Sequence, residues 1–245
     1  MEKPEPQPSG LDLSGVGDAE EPAETPAPPV VAVVVTSDGE GLEETLASLA
    51  SQDYPALSIL VLDSGSSADP TARIASVAPH AYVRRLPENV GFAVAANEAI
   101  GAVEGAAFLL FCHDDVVVEP SAVRVMVEEA YRSNAGVVGP KIVDRASPEV
   151  LLEVGLAIDH YGVVFSGIEP GEIDQEQHDA VRDVFFVSSA AMLVRAISSP
   201  GSGVRSRDVS GLRRHRSLLA RPSRGGARPG CPRCARPSRS LGSRE

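Results

Sequence analysis

Short apolar runs that alternate with helical stretches constrain the fold of this chain more than any other feature. The β-branched run at residues 30–35 ends in a polar turn, and leucines at three- to four-residue spacing follow it. This is the pattern of a buried strand and then an amphipathic helix. Similar strand signals recur at 58–62, 82–86 and 106–111. Strands that alternate with helices need crossover connections, so the sequence predicts an α/β fold with a mostly parallel sheet.

Further elements are expected after the fourth strand. Residues 121–132 have the pattern of a helix, and residues 136–143 have that of a strand. The apolar stretch at 181–194 fits one or two strands, or a strand and a helix. Between them lie two clusters of acids, at 169–176 and 179–183, which we expect in solvated loops.

The two ends of the chain differ in composition from its middle. Residues 1–29 are rich in Pro, Glu, Ala and Gly, which predicts a disordered acidic leader. After residue 200 there are twelve arginines against Asp208 and Glu245, so this part carries +10 and the first 200 residues carry −22. We therefore expect a leader at 1–29, a folded domain at 30–196 and a disordered Arg-rich tail at 197–245.

The sequence carries no membrane-spanning or disulfide signature. No apolar stretch is long enough to cross a bilayer, and the N-terminus lacks the layout of a signal peptide, so we expect a cytoplasmic protein. Of the three cysteines, Cys112 falls in an apolar strand, whereas Cys231 and Cys234 form a lone C-x-x-C. A lone pair of this kind is a weak zinc signal, and the three together do not make a disulfide framework.

Two adjacent acids, Asp114 and Asp115, follow His113 at the end of the fourth predicted strand. In open α/β sheets ligands bind outside the carboxyl ends of the strands. Two carboxylates so close raise each other's pKa unless a cation lies between them, and a hard divalent metal that holds a phosphate is a common remedy. The alternative is an Asp-rich turn that caps the helix expected near Pro120. The residues alone leave both interpretations open.

Separated blocks of the chain agree with one family in their order and spacing. They resemble the nucleotide-sugar glycosyltransferases of family 2 over about residues 30–195, with the strongest likeness to rhamnosyl- and galactofuranosyl-type enzymes of actinobacterial envelope synthesis. A strand-end Asp alone would not be specific, because it occurs in many unrelated α/β proteins. The resemblance implies the GT-A fold, a mostly parallel nucleotide-binding sheet flanked by helices, here expected to be incomplete at the C-terminus. The blocks are VVAVVVTSDGEGLEETLASLASQDYP, ILVLDSGSSADP, PENVGFAVAANEAI, FLLFCHDDVVVEP, GVVGPKI and FFVSSAAMLVR.

The resemblance implies a set of residues around the nucleotide sugar. Thr36 matches the position near the nucleotide, and Asp63 the position against the base or ribose. Asn89, Gly91 and Asn97 match residues that border the diphosphate side of the pocket. Each also has a structural interpretation: a strand terminator for Thr36, a helix cap for Asp63, and turn chemistry or a polar helix face for the others.

The resemblance also implies a metal site. Family members usually end this strand in Asp-x-Asp, and the last acid coordinates the Mn²⁺ or Mg²⁺ that bridges the sugar diphosphate. Asp115 matches that acid. His113 replaces the first acid, and it could ligate the metal, contact a phosphate or do neither. Asp114 is then a second carboxylate at the nucleotide-sugar site.

The chain departs from the family after Ala196. Relatives continue into an acidic motif that supplies the catalytic base, and this motif is absent here, so we assign no catalytic residue. The Arg-rich tail could bind membrane phosphates or nucleic acid, but it lacks aromatic residues and an organised helix. We prefer the interpretation that it is an out-of-frame translation of a GC-rich gene. Ser189 also stands where many relatives have Gly.

The function expected from the resemblance is that of an inverting glycosyltransferase. It would move a sugar from a nucleotide-diphosphate sugar donor to a cell-envelope polysaccharide or lipid-linked acceptor, and the loss of the base motif would impair it. The alternative is an inactive nucleotide-sugar-binding module. We expect no nucleic-acid partner. A membrane-associated partner, with peripheral placement at the inner face of the membrane, is compatible with these expectations. An incomplete sheet would expose an apolar face, which predicts poor solubility.

Overall fold

The computed structural model describes residues 26–196 and the backbone of residues 217–220 and 235–236. Most of the expected leader and most of the expected tail therefore lie outside the described residues, and the predicted disorder of both stays a prediction. None of the helices in the described part of the chain combines the length and the apolar character that a membrane crossing requires.

Four helices and thirteen strands make up the described structure. The helices are α1 (Leu42–Ala50), α2 (Thr71–Val77), α3 (Phe92–Ala102) and α4 (Ala122–Arg132). The strands up to the end of α4 are β1 (Val30–Thr36), β2 (Leu57–Ser64), β3 (Tyr82–Leu86) and β4 (Phe108–His113). The later strands are β5 (Val137–Pro140), β6 (Ile142–Asp144), β7 (Leu151–Glu153), β8 (Ala157–Ile158), β9 (Val164–Phe165), β10 (Asp183–Val184), β11 (Ala191–Arg195), β12 (Ser217–Ala220) and β13 (Ala235–Arg236).

The main sheet has the strand order β10-β12-β5-β11-β4-β1-β2-β3. Strands β3, β2, β1 and β4 are neighbours in that order and all run parallel. Strand β11 is antiparallel to both β4 and β5, so β5 again points the same way as β4. This mostly parallel sheet with flanking helices confirms the predicted α/β architecture of the GT-A type. Two small sheets, β13-β6-β7 and β8-β9, complete the structure.

Both faces of the main sheet are covered, which explains why its central strands are apolar runs. In β1, Ala32 and Val34 belong to the core cluster under α1, α2 and α4, whereas Val33 and Val35 belong to the cluster under α3. Leu46 of α1 is fully buried in the first of these clusters. Successive side chains of a strand point to opposite faces, so a strand buried on both sides has to be apolar at every position.

The strand expected at 136–143 is interrupted at Lys141. β5 lies in the main sheet, and β6 lies in the small sheet with β7. The Lys141 side chain is buried, and its Nζ lies 2.6 Å from Asp174 and 2.7 Å from Asp179. The expectation that the acid clusters are solvated is therefore wrong for these two carboxylates, whose side chains are only 6% and 11% exposed.

Candidate functional site

The order of the parallel strands sets a switch point at the carboxyl ends of β1 and β4. The chain passes from β1 to β2 and β3 on one side of β1, and β4 lies on the other side. Loops that leave neighbouring strands in opposite directions open a ligand crevice at the carboxyl ends of those strands. The pairing sets Thr36 opposite Asp63, and it sets Val35 opposite His113. The predicted site residues of β1, β2 and β4 therefore meet at this edge.

Thr36 and Asp114 are in direct contact across the crevice. The Thr36 Oγ1 hydroxyl donates to Asp114 Oδ2 at 2.7 Å, and the Gly39 N–H donates to Thr36 Oγ1 at 3.4 Å. Helix α4 begins after Ser121 and has no side-chain cap, so neither acid of the turn caps it. The interpretation of Asp114 and Asp115 as helix caps is therefore wrong.

Asp63 is a fully buried carboxylate at the end of β2. Its Oδ1 accepts the Ser66 N–H at 2.9 Å, and its Oδ2 accepts Arg85 Nε at 2.7 Å. Burial alone would raise the pKa of Asp63, but the hydrogen bonds from Ser66 and Arg85 outweigh it and hold the pKa below its ordinary value. Helix α2 begins after Pro70 without a side-chain cap, so Asp63 does not cap it.

The loop after β1 is tied to the two neighbouring loops by hydrogen bonds. Asp38 accepts the N–H and the hydroxyl of Ser67, each at 3.0 Å from Oδ1. On the other side, Asn89 Nδ2 donates to Ser37 Oγ at 3.0 Å, and Asn89 Oδ1 accepts the Gly91 N–H at 3.0 Å. The structure thus brings Asn89 and Gly91 to the edge that carries Thr36 and Asp63.

Helix α3 starts immediately after Gly91, which has a φ of 77° and serves as its N-cap residue. Asn97 lies on this helix and is half-buried. It is therefore one helical turn or more away from Asn89 and Gly91. Its predicted contact with the diphosphate side of the pocket stays a prediction.

His113 contacts residues on two sides of the crevice. Its Nε2 lies 3.1 Å from Ser189 Oγ, and its ring is tilted against the Phe92 ring at a centroid distance of 4.5 Å. Ser189 belongs to the segment before β11, which pairs antiparallel with β4. The imidazole is thus held between the start of α3 and the β11 side of the sheet.

The donor set of the β4 turn matches part of what a hard divalent ion needs. Within residues 26–196, no group of three or more His, Cys, Asp and Glu side chains lies close enough to hold a metal ion. Mg²⁺ is usually bound by one or two carboxylates together with substrate phosphates. Asp114 Oδ2 already accepts the Thr36 hydroxyl, whereas Asp115 supplies a carboxylate on the same turn, so Asp115 fits an ion that is shared with a diphosphate.

Sequence reasoning missed Arg85 and Ser189 as site residues. Arg85 lies on β3, opposite Asp63 in the parallel register, and it pairs with Asp63 as well as Asp69. The only sequence signal for Arg85 is that it is a charged residue within the strand predicted at 82–86. Ser189 could have been found from its unusual place in the FFVSSAAMLVR block, which pointed to a changed site geometry.

Known proteins resemble this chain in part. The crystal structure of S. aureus TarS matches at a TM-score of 0.43 and 25% identity, over 48% of this chain and 22% of TarS. TarS 1–349 in complex with UDP, and in complex with UDP-GlcNAc, each match at a TM-score of 0.41 and 25% identity. The matches cover 48% of this chain and 36% and 34% of those chains. The chain thus spans well under two thirds of these proteins.

Comparison with curated protein sequences finds no match. The sequence model of the glycosyl transferase family 2 matches residues 30–196, which is more than half of the chain and coincides with the folded domain described above. The chain therefore belongs to glycosyl transferase family 2.

Proposed function

We propose that this chain is a nucleotide-sugar glycosyltransferase that acts with inversion at the sugar carbon. The observation that carries the proposal is the family match over residues 30–196. The contacts among Thr36, Asp63 and Asp114 at the carboxyl ends of the parallel strands support it. This is the place where open α/β sheets bind nucleotides. The residues supply hydroxyl and carboxylate groups for a polar, phosphate-bearing ligand.

The donor half of the site is assigned residue by residue. Thr36 and Asp63 border the nucleoside, and Asn89, Gly91 and Asn97 border the diphosphate. Asp115, with His113 as a candidate second ligand, holds a divalent ion, which members of this family commonly use, and we propose Mn²⁺ or Mg²⁺. When bound, the ion would neutralise the negative charge that develops on the departing nucleoside diphosphate.

The buried Asp63 organises the nucleoside side of the site. Because both of its oxygens already accept hydrogen bonds, it fixes the loop at Ser66 and the guanidinium of Arg85. Asp63 has no exposed surface, so it acts on the nucleoside through the Ser66 loop and the half-exposed Arg85 guanidinium that it holds. The arrangement is fixed before the ligand arrives, which lowers the cost of ordering it on binding.

Inversion requires one in-line displacement with a general base for the acceptor hydroxyl. We propose a cell-envelope polysaccharide or lipid-linked acceptor, reached at the inner face of the membrane. The second candidate function is nucleotide-sugar binding without transfer. It is favoured by the sequence after residue 196, which lacks the acidic motif expected to supply the base.

Turnover separates the two candidates. The purified chain is incubated with UDP- and dTDP-sugars and Mn²⁺, with and without lipid-linked and polysaccharide acceptors, and released nucleotide diphosphate is quantified. Acceptor-dependent release supports the transferase. Binding of UDP or dTDP without release supports the binding module. A folded chain that neither binds nor turns over these nucleotides contradicts both.

A further inference from the structure

The loop after β1 contains Gly39, whose neighbour is a carboxylate. A Cβ atom added at Gly39 would lie 1.9 Å from Asp114 Oδ2 and 2.5 Å from Asp114 Cγ. Gly39 is not among the glycines with positive φ in the described residues. Its backbone conformation therefore permits other residues, and the need for glycine comes from the space that the Asp114 carboxylate occupies.

A second glycine of the same loop packs against the backbone of the same turn. A Cβ at Gly41 would lie 2.8 Å from the Asp114 carbonyl oxygen and 3.1 Å from Asp115 Cα. The loop after β1 thus rests directly on the turn that carries both acids. The hydrogen bond from Thr36 Oγ1 to Asp114 Oδ2 adds a further contact between the end of β1 and this turn.

From these contacts we infer that Thr36, Gly39 and Asp114 form a clamp in which Asp114 is a positioning residue. Its carboxylate docks the nucleotide-facing loop at residues 37–41 onto the turn that carries Asp115, and it keeps the two in a fixed relation. The inference rests on the proposed function for its effect on nucleotide binding. It assigns the two acids different tasks: Asp114 holds the loop, and Asp115 serves the metal and diphosphate.

Two steps of physical reasoning connect the clamp to ligand binding. The hydrogen bond has an ionised acceptor and is half-buried, which makes it stronger than a neutral one. The loop that it fixes also carries Ser37 and Asp38, which bond to the loops after β3 and β2. Release of the clamp therefore loosens the rim of the crevice, and a loosened rim binds a ligand more weakly because the ligand has to order it.

A double-mutant cycle between Gly39→Ala and Asp114→Ala tests the clamp. Gly39→Ala displaces the carboxylate without altering Asp114 itself, so each single change should lower the melting temperature and weaken Mn²⁺-dependent UDP binding about tenfold. In the Asp114→Ala background the obstacle is gone, so Gly39→Ala should change UDP affinity by less than about twofold. Gly101→Ala is the matched control, because nothing lies within 4 Å of a Cβ there.

Substitutions of Thr36 provide a second arm of the test of the clamp. Thr36→Ser keeps the hydroxyl and should retain UDP affinity to within about threefold, whereas Thr36→Val keeps the shape and should lose about tenfold. A role in packing alone would give the opposite order, because valine preserves the volume of threonine better than serine does.

The outcomes of the two arms are distinct. Independent effects of Gly39→Ala and Asp114→Ala would overturn the clamp. In that case their fold-losses in UDP affinity would multiply, and their losses in melting temperature would add. An unchanged Gly39→Ala variant would overturn it as well. If the unmodified chain binds neither UDP nor dTDP, the proposed function fails, and the melting cycle alone still supports or overturns the contact between Gly39 and Asp114.

Discussion

At the scale of single residues, Asp63 shows how hydrogen-bond donors stabilise a buried charge in this protein. A carboxylate without exposed surface is costly unless donors surround it. Here Ser66 and Arg85 supply those donors, and the pKa of Asp63 lies below its ordinary value as a result. The ionised form is thus favoured in the folded state, so its stabilising contribution is present above the ordinary pKa and is lost as the pH falls through the folded pKa.

Two neighbouring arginines allow a matched test of this pair. Arg85→Leu should lower the free energy of unfolding by about 1–3 kcal/mol at pH 7, which is less than for a fully buried pair because the guanidinium is half-exposed. Arg84→Leu removes only the exposed pair with Glu98, so its effect should stay below about 1 kcal/mol. Chemical denaturation of both variants measures the difference.

The effect of Arg85→Leu should also depend on pH. Protonation of Asp63 removes its attraction to the guanidinium, so the gap between the parent and the variant should narrow as the pH falls below about 4. A gap that stays constant from pH 7 to pH 3 would show that Arg85 stabilises the fold by packing and not through Asp63.

At this scale the sequence predicted which strand ends carry polar groups, but not which groups pair. Thr36 and Asp63 follow apolar runs, so their place at the carboxyl edge could be read from the pattern. The contact between Asp63 and Arg85 depends on the register of β2 against β3. The contact between His113 and Ser189 depends on the return of β11 beside β4. Neither register is encoded locally.

At the scale of elements, two loops of the site touch at Gly65. Its φ is 72°, and a Cβ there would lie 2.5 Å from the Asn89 backbone nitrogen. Gly65→Ala should therefore lower the free energy of unfolding by about 2 kcal/mol or more, from backbone strain and from the collision. Gly105→Ala is the control, because it has a φ of 76° and open space around it. Equal losses in the two variants would contradict the close approach of the loops.

Lys141 holds the segment between β9 and β10 to the end of β5. Its ammonium group lies between Asp174 and Asp179, and all three side chains are nearly or fully buried. Lys141→Met would leave two buried carboxylates without their cation, which should cost about 3–5 kcal/mol. Arg145→Met breaks the more exposed pair with Glu44 and should cost less than about 1 kcal/mol. A similar loss in both variants, measured by denaturant unfolding, would argue against the buried network.

The helices and strands of residues 30–132 follow closely from apolar periodicity. The predicted strand at 82–86 matches β3, and the predicted helix at 121–132 differs from α4 by one residue. The prediction of one strand over 136–143 was wrong, because the side chain of Lys141 turns into a buried ion network formed by residues more than thirty positions away. Periodicity cannot show a break that has a tertiary cause.

At the scale of the whole molecule, exposed apolar side chains are unevenly distributed. Of the large hydrophobic residues exposed in the described structure, eight of eleven lie between Leu152 and Phe185. A concentration of exposed apolar side chains in one segment of the chain favours association. The double variant Phe165→Ser, Phe185→Ser should therefore be more soluble and more nearly monodisperse in light scattering. Val94→Ser, at an isolated exposed position on α3, should leave both properties unchanged.

The domain as a whole matches glycosyl transferase family 2 over residues 30–196, and its strand order sets a switch point between β1 and β4. We propose that the turn after β4 of this domain binds a nucleotide diphosphate through a divalent ion. Asp115 is the residue on which this claim depends most. Glu104 offers a matched control, because it is an exposed acid that precedes β4 at the opposite edge of the sheet.

Calorimetric titration with UDP and dTDP, with and without Mn²⁺, tests this claim most directly. We expect Mn²⁺-dependent binding of at least one nucleotide by the parent and by Glu104→Ala, and a loss of affinity of about hundredfold or more in Asp115→Ala. Binding that is indifferent to Mn²⁺, or that survives intact in Asp115→Ala, would contradict it, and so would a cooperatively folded chain that binds neither nucleotide.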